Sequence, residues 1–246
     1  MAGSPASPPA DSRVVFALDF QSVDAARAAA LAVRDSVGML KVGLELFVGA
    51  GPAAVAIGAD VGRPVFLDLK LHDIPETVER AVARAGELGA RMLTVHAAGG
   101  PAMLRRAVDR ARKEARDLQI LAVTVLTSFD AGDLAAIGAT GDVAAQVERL
   151  ARVAWNEGVR GFVCSPHEAG LLRRALGPEA TLVTPGIRAS SAAKADDQKR
   201  TMTAGEAIAQ GADWVVVGRP IRDAADPVAT ARTIAREAAG ALDARA

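Results

Sequence analysis

Residues 68–78 read DLKLHDIPETV and follow the apolar run PVFL at 64–67, which reads as a buried strand. A strand alternates its side chains with period two. Asp68 and Lys70 therefore share one face, and Leu67 and Leu69 take the other. Asp73 follows three residues on. Two carboxylates and an ammonium in one small volume cost desolvation energy that a purely structural site seldom tolerates. Such a cluster at a strand end points to chemistry on an anionic substrate.

Outward from this stretch the same pattern repeats. Strands are predicted over Val14–Asp19, Met39–Val42, Pro64–Lys70, Met92–His96, Gln119–Leu126, Gly161–Cys164, Thr181–Thr184 and Trp214–Val217. Ala-rich helical segments lie between them, among them Val23–Arg34, Thr77–Leu88, Pro101–Ala115 and Val143–Asn156. Asp142 is placed to cap the last of these and Gly158 to end it. Thr203 and Glu206 have the spacing of a capping box, and Gly211 sits where a helix C-terminal glycine belongs. Eight βα units in this length predict an α/β fold, a single-domain (β/α)8 TIM barrel over residues 13–246. A Pro-, Ser- and Ala-rich stretch, residues 1–12, reads as a disordered leader with neither the positive start nor the apolar run of a signal peptide. A doubly wound open sheet is the alternative, weakened because no G-x-G-x-x-G turn follows the first strand.

Acidic and basic residues balance at 29 each, so no global field favours nucleic acid or an anionic membrane. Tyrosine is absent and aromatics make up 3% of the chain, too few for base-stacking platforms. No apolar run of about 18 residues supports a membrane span. The single cysteine, Cys164, excludes a disulfide framework and a multi-cysteine metal site and fits a reducing, cytoplasmic location. It ends an apolar strand, as a buried inert thiol would.

In a barrel of this type the chemistry sits at the C-terminal strand ends. Asp19 ends the first strand and Lys41 lies near the end of the second. Asp68 and Lys70 end the third and His96 the fourth. Thr127 and Ser128 follow the fifth, Arg188 the seventh, and Gly218 and Arg219 the eighth. The last pair lies where such barrels often bind phosphate: the glycine lets the backbone approach and the arginine offers a bidentate fork. A rim salt bridge is the plainer reading of the same arginine. The long irregular stretch 186–202, GIRASSAAKADDQKRTM, reads as an active-site lid in which Gln198 would close over the same group, or else as a surface insertion. His72 and His167 read as solvated loop residues, and no H-E-x-x-H or comparable spacing surrounds His96. Lys70 between acids supplies the positive charge that a metal would otherwise bring.

The segments FALDF, KVGLELF, FLDLKLHDIPETV, LTVHAAGG, VLTS, TPGIR, DDQKR and VVGRPI, in this order and across nearly the whole chain, resemble the orotidine 5′-phosphate decarboxylase family. The resemblance implies a homodimer, without cofactor or metal, that converts orotidine 5′-monophosphate to UMP in the last step of pyrimidine nucleotide synthesis. It implies that Lys70 gives a proton to C6 and that Asp68 lies against the leaving carboxylate. Asp73, with Ile74 and Thr77, would enter the neighbouring subunit's site. Asp19 and Lys41 would hold ribose hydroxyls, and Thr127 or Ser128 would contact the pyrimidine. Arg188, Gln198, Gly218 and Arg219 would grip the phosphate or close over it. Two rivals share parts of this pattern. One is a metal-dependent sister barrel with the same D-x-K-x-x-D core, such as a 3-keto-gulonate-phosphate decarboxylase or a hexulose-phosphate synthase. The other is a non-catalytic nucleotide or sugar-phosphate sensor.

Overall fold

The structure is a computed structural model that describes residues 12–114, 117–139, 141–188 and 202–245. In chain order its elements are β1 (Val14–Ala17), α1 (Val23–Val33), β2 (Met39–Gly43), α2 (Leu44–Ala50), α3 (Pro52–Val61), β3 (Val65–Leu71), α4 (Pro75–Glu87), β4 (Ala90–His96), α5 (Gly100–Glu114), β5 (Gln119–Val123), α6 (Ala131–Ala136), α7 (Val143–Asn156), β6 (Gly161–Val163), α8 (Pro166–Leu176), β7 (Thr181–Thr184), α9 (Ala204–Ala209), β8 (Trp214–Val217), α10 (Arg219–Arg222) and α11 (Pro227–Asp243). The eight strands close into a parallel barrel in sequence order, with β8 paired back onto β1. The open-sheet alternative is thereby set aside.

Period-two alternation divides the apolar residues into two cores. Val15 and Ala17 of β1, Met39, Phe66, Met92, Leu121, Val183 and Val216 pack inside the barrel. Their neighbours Val14, Phe16, Leu40, Leu67, Leu93, Ile120, Leu182, Val215 and Val217 face outward into a larger core shared with the helices. A strand apolar on both faces is what a parallel sheet wrapped in helices requires. The inward positions one step nearer the C-terminal mouth are polar on three successive strands: Lys41, Asp68 and Thr94. The change from apolar to polar along one inner face separates the packed floor from the polar mouth.

Caps fix the helix starts. Asp142 accepts from Ala145 N at 2.7 Å, and Thr203 accepts from Glu206 N at 3.2 Å while Glu206 reaches back to Thr203 N at 2.9 Å. Gly158 and Gly211 take the positive φ expected after a helix. Some boundaries differ from the sequence reading. β1 stops at Ala17 and β5 at Val123, and a little beyond them Asp19, Val125, Leu126 and Thr127 wall the cleft. α4 begins at Pro75 rather than Thr77, since proline fits the first helical position, where no amide hydrogen is needed. Ser12, placed in the leader by sequence, is buried, and its hydroxyl donates to Ser36 O at 2.9 Å. Cys164 is buried, and burial pushes its thiol well above the ordinary range, which disfavours the reactive thiolate. No single helix among the described residues is long and apolar enough to cross a membrane.

Candidate active site

The mouth of the barrel opens into a cleft of about 270 Å³ lined by Asp19, Lys41, Asp68, Lys70, Thr127, Gly218 and Arg219 on its polar side. Val123, Val125, Val163, Ile187 and Val216 line the apolar side.

Four charges alternate along one wall. Lys41 Nζ lies 3.3 Å from Asp19 Oδ1 and 3.7 Å from Asp68 Oδ2. Lys70 Nζ lies 2.9 Å from both oxygens of Asp68. The side chains of Asp68 and Lys41 are only 12% and 13% exposed, whereas that of Lys70 is 30% exposed and reaches the open cleft. Burial alone would push the Asp68 carboxyl up. Lys41, Lys70 and the hydrogen bonds from Lys70 and Thr94 outweigh it and hold Asp68 below the usual carboxylate range. Gly43 makes room for this row: a Cβ there would stand 2.8 Å from Lys41 Nζ. A Cβ at Gly218 would press on Asp19 Oδ2 at 3.3 Å and Ala17 at 3.4 Å.

Lys70 has φ +49°, the one positive value on a non-glycine residue among those described. Left-handed backbone is costly for an ordinary side chain and concentrates at functional sites. Here it coincides with an irregularity between β3 and β4: Leu67 pairs with Leu93, yet Leu71 pairs with Val95. Thr94, fully buried between those two residues of β4, accepts from Lys70 N at 2.8 Å and donates to Asp68 Oδ1 at 2.9 Å. Sequence reasoning missed Thr94. Its signal was a hydroxyl inside the apolar run of β4, in step with Met92 and His96.

Asp73 does not join this row. It is exposed, forms no ion pair with Lys70, and accepts from Ile74 N at 2.6 Å. The strand ends at Leu71, and Pro75 holds Ile74 in the extended backbone that precedes a proline. The turn thereby carries Asp73 off the inward face, so among the described residues the acids around Lys70 are Asp68 and, beyond Lys41, Asp19. Ile74 and Thr77 are exposed too, Ile74 at 66%. Thr127 lines the cleft, and Ser128, exposed beside it, does not. Arg188 is half-buried near the cleft. Its amide donates to Met202 O at 2.9 Å and Met202 N donates to Gly186 O at 3.3 Å, drawing the two ends of the 186–202 segment together. Gln198 lies outside the described residues, as do most of that segment and residues 1–11 of the leader.

His96 is half-buried, its ring centroid 5.3 Å from that of His72. Burial, then His72 and Lys70, depress its imidazole below the ordinary value, against a smaller opposing pull from Asp68. Arg222, also missed, donates to Asp19 O at 3.0 Å and is clamped by Asp223. Among the described residues no group of three or more His, Cys, Asp or Glu side chains is placed to hold a metal ion.

The sequence profile described as orotidine 5′-phosphate decarboxylase / HUMPS family matches residues 12–234. An orotidine 5′-phosphate decarboxylase of Anaeromyxobacter sp. (strain K) is 56% identical over 223 residues, which is 91% of this chain and 96% of that one. One of Trichlorobacter lovleyi is 46% identical over 93% of this chain and 95% of its own. Among solved structures, orotidine 5′-phosphate decarboxylase from Lactobacillus acidophilus superposes with a TM-score of 0.79 at 34% identity, covering 93% of this chain and 99% of that one.

Proposed function

The chain belongs to the orotidine 5′-phosphate decarboxylase / HUMPS family, and from that premise we infer that it decarboxylates orotidine 5′-monophosphate to UMP, the last step of pyrimidine nucleotide synthesis. The observation that carries the residue-level reading is the row of alternating charges Asp19–Lys41–Asp68–Lys70 along the cleft, whose last ammonium is the more exposed of the two.

Loss of CO₂ leaves a negative charge on C6, where no adjacent carbonyl absorbs it. A fixed ammonium stabilises that charge in a site closed to water. We propose Lys70 as this group and as the proton donor to C6, which needs no cofactor and no metal. Asp68 holds the ammonium by both oxygens and is ionised, so the departing carboxylate meets a like charge. Two unit charges about 4 Å apart at an effective dielectric of 20 repel by about 4 kcal/mol. Enzymes lower barriers by roughly 8–23 kcal/mol, so repulsion is a minority contribution. Binding of the remote phosphate drives the organisation of the site.

In this reading Asp19 and Lys41 take the ribose hydroxyls and Thr127 meets the pyrimidine edge. Gly218 and Arg219 hold the phosphate, with Arg188 and Gln198 closing from the 186–202 segment. The exposure of Asp73, Ile74 and Thr77 supports a homodimer in which they complete the partner's site. The lone buried thiol supports a reducing compartment, the cytoplasm.

The direct test mixes purified protein with orotidine 5′-monophosphate in a chelator and follows the ultraviolet signal. Turnover is expected. No turnover, or turnover only with added metal, overturns the reading in favour of a sensor or a metal-dependent sister enzyme. Mixing Lys70→Ala with Asp73→Asn protein is expected to restore activity that neither has alone, since mixed dimers carry one intact site. Absence of restoration overturns the shared site.

A further inference from the structure

We propose that Thr94 is a positioning residue for the decarboxylation: its hydroxyl holds the left-handed backbone at Lys70 and, through the same oxygen, the orientation of the Asp68 carboxylate. The inference rests on the functional reading above and concerns the same site.

Hydrogen-bond valence carries it. A threonine hydroxyl has one proton to give. The amide of Lys70 can only donate, so the 2.8 Å contact uses Thr94 Oγ1 as acceptor. The one hydroxyl proton is then directed to Asp68 Oδ1 at 2.9 Å. That polarity accepts an ionised Asp68 without rearrangement.

Topology gives the reason a side chain is needed there. Between the pairs Leu67–Leu93 and Leu71–Val95, β3 spends four steps where β4 spends two. The surplus bulges β3 and takes the Lys70 amide out of register with the carbonyls of β4. An amide left unpaired in so closed a place is unfavourable. The hydroxyl of Thr94, itself 0% exposed, stands in for the missing ladder carbonyl. The bulge in turn lets Lys70 fold back so that Nζ meets both Asp68 oxygens at 2.9 Å. Thr94 is thus bonded to both members of the Asp68–Lys70 pair while lining no part of the cleft itself. Its loss is expected to disturb the reacting groups and to spare the ribose and phosphate contacts.

Thr94→Val keeps the volume and the branched shape and removes the hydroxyl; Thr94→Ser keeps the hydroxyl. Steady-state kinetics with orotidine 5′-monophosphate and UMP binding by calorimetry are measured on wild type and both variants. For Thr94→Val, kcat is expected to fall at least tenfold while KM and the UMP dissociation constant stay within threefold. Thr94→Ser is expected to recover kcat to within threefold of wild type. Should Thr94→Val fail to fold, Thr94→Cys, with its weaker donor, takes its place under the same expectation. A wild-type kcat in the hydroxyl-free variant overturns the inference. So does a parallel loss of kcat, KM and UMP affinity, which would mark general damage. A wild-type protein that does not consume the substrate overturns the functional reading instead.

Discussion

The two ends of the barrel treat their charges differently. At the N-terminal floor, Arg63 and Arg173 are held largely by carbonyl oxygens. Arg63 donates to Arg34 O at 2.7 Å and Val37 O at 3.1 Å. Arg173 donates to Gly177 O, Ala180 O and Gly211 O and pairs with Asp213 at 2.6 Å. These arginines hold loops that enter β2, β3, β7 and β8. At the mouth, among the described residues, the Lys41 and Lys70 ammoniums bond only to carboxylates, and the row ends at an open cleft. A cation saturated by fixed dipoles has no capacity left for a ligand. A cation held by one carboxylate at a cavity wall can exchange that partner for a developing charge. On the proposed function, cationic side chains therefore serve stability at one end and reactivity at the other.

Substitutions should separate the two ends. The largest effect is expected from Lys70→Ala at the mouth: loss of turnover by at least about 10³-fold, the scale of a lost acid and its electrostatic stabilisation, with thermal stability unchanged. Near-wild-type turnover would remove Lys70 from the mechanism. Next, Arg219→Ala is expected to weaken kcat/KM for the phosphorylated substrate by about 10–100-fold, the scale of a charge-assisted contact. Turnover of the phosphate-free nucleoside should barely change, and equal losses on both would argue against the phosphate role. At the floor, Arg173→Met removes several hydrogen bonds to backbone and is expected to cost about 2–3 kcal/mol. In a chain of this size that lowers the melting temperature by about 4–12 °C, read by calorimetry, with kcat unchanged at 25 °C. A loss of activity without a loss of stability would blur the contrast.

The smallest effect concerns pH. The folded-state pKa of His96 lies below its ordinary value, so the unfolded chain binds the proton more readily. The stability this contributes is complete above about pH 6.5 and is lost as the pH falls toward the folded value. Asp68, also depressed, adds a second loss that begins near pH 4 and runs downward. Denaturant titrations of wild type and His96→Asn between pH 7 and pH 5 are expected to diverge, the variant being the flatter. Parallel curves would show that His96 titrates alike in both states.

Much of the site was legible because a parallel barrel translates chain position into place. Alternation put Asp68 and Lys70 inward, and strand ends put Asp19, Lys41, Thr127, Gly218 and Arg219 around one rim. Thr94 and Arg222 were not legible in that way. A lone hydroxyl in an apolar strand gains meaning only beside the strand it faces, and Arg222 reaches Asp19 across 203 residues of sequence.

The sequence by itself determined the eightfold repeat, the inward face of each strand and the set of charges at the mouth, because these follow from local period and chain order. Tertiary structure decided which of those charges meet. Pairing of β3 with β4 out of register turned Lys70 into left-handed backbone, seated it on Asp68 through Thr94, and released Asp73 to the surface. Register is a property of two strands at once, and no single stretch of chain carries it.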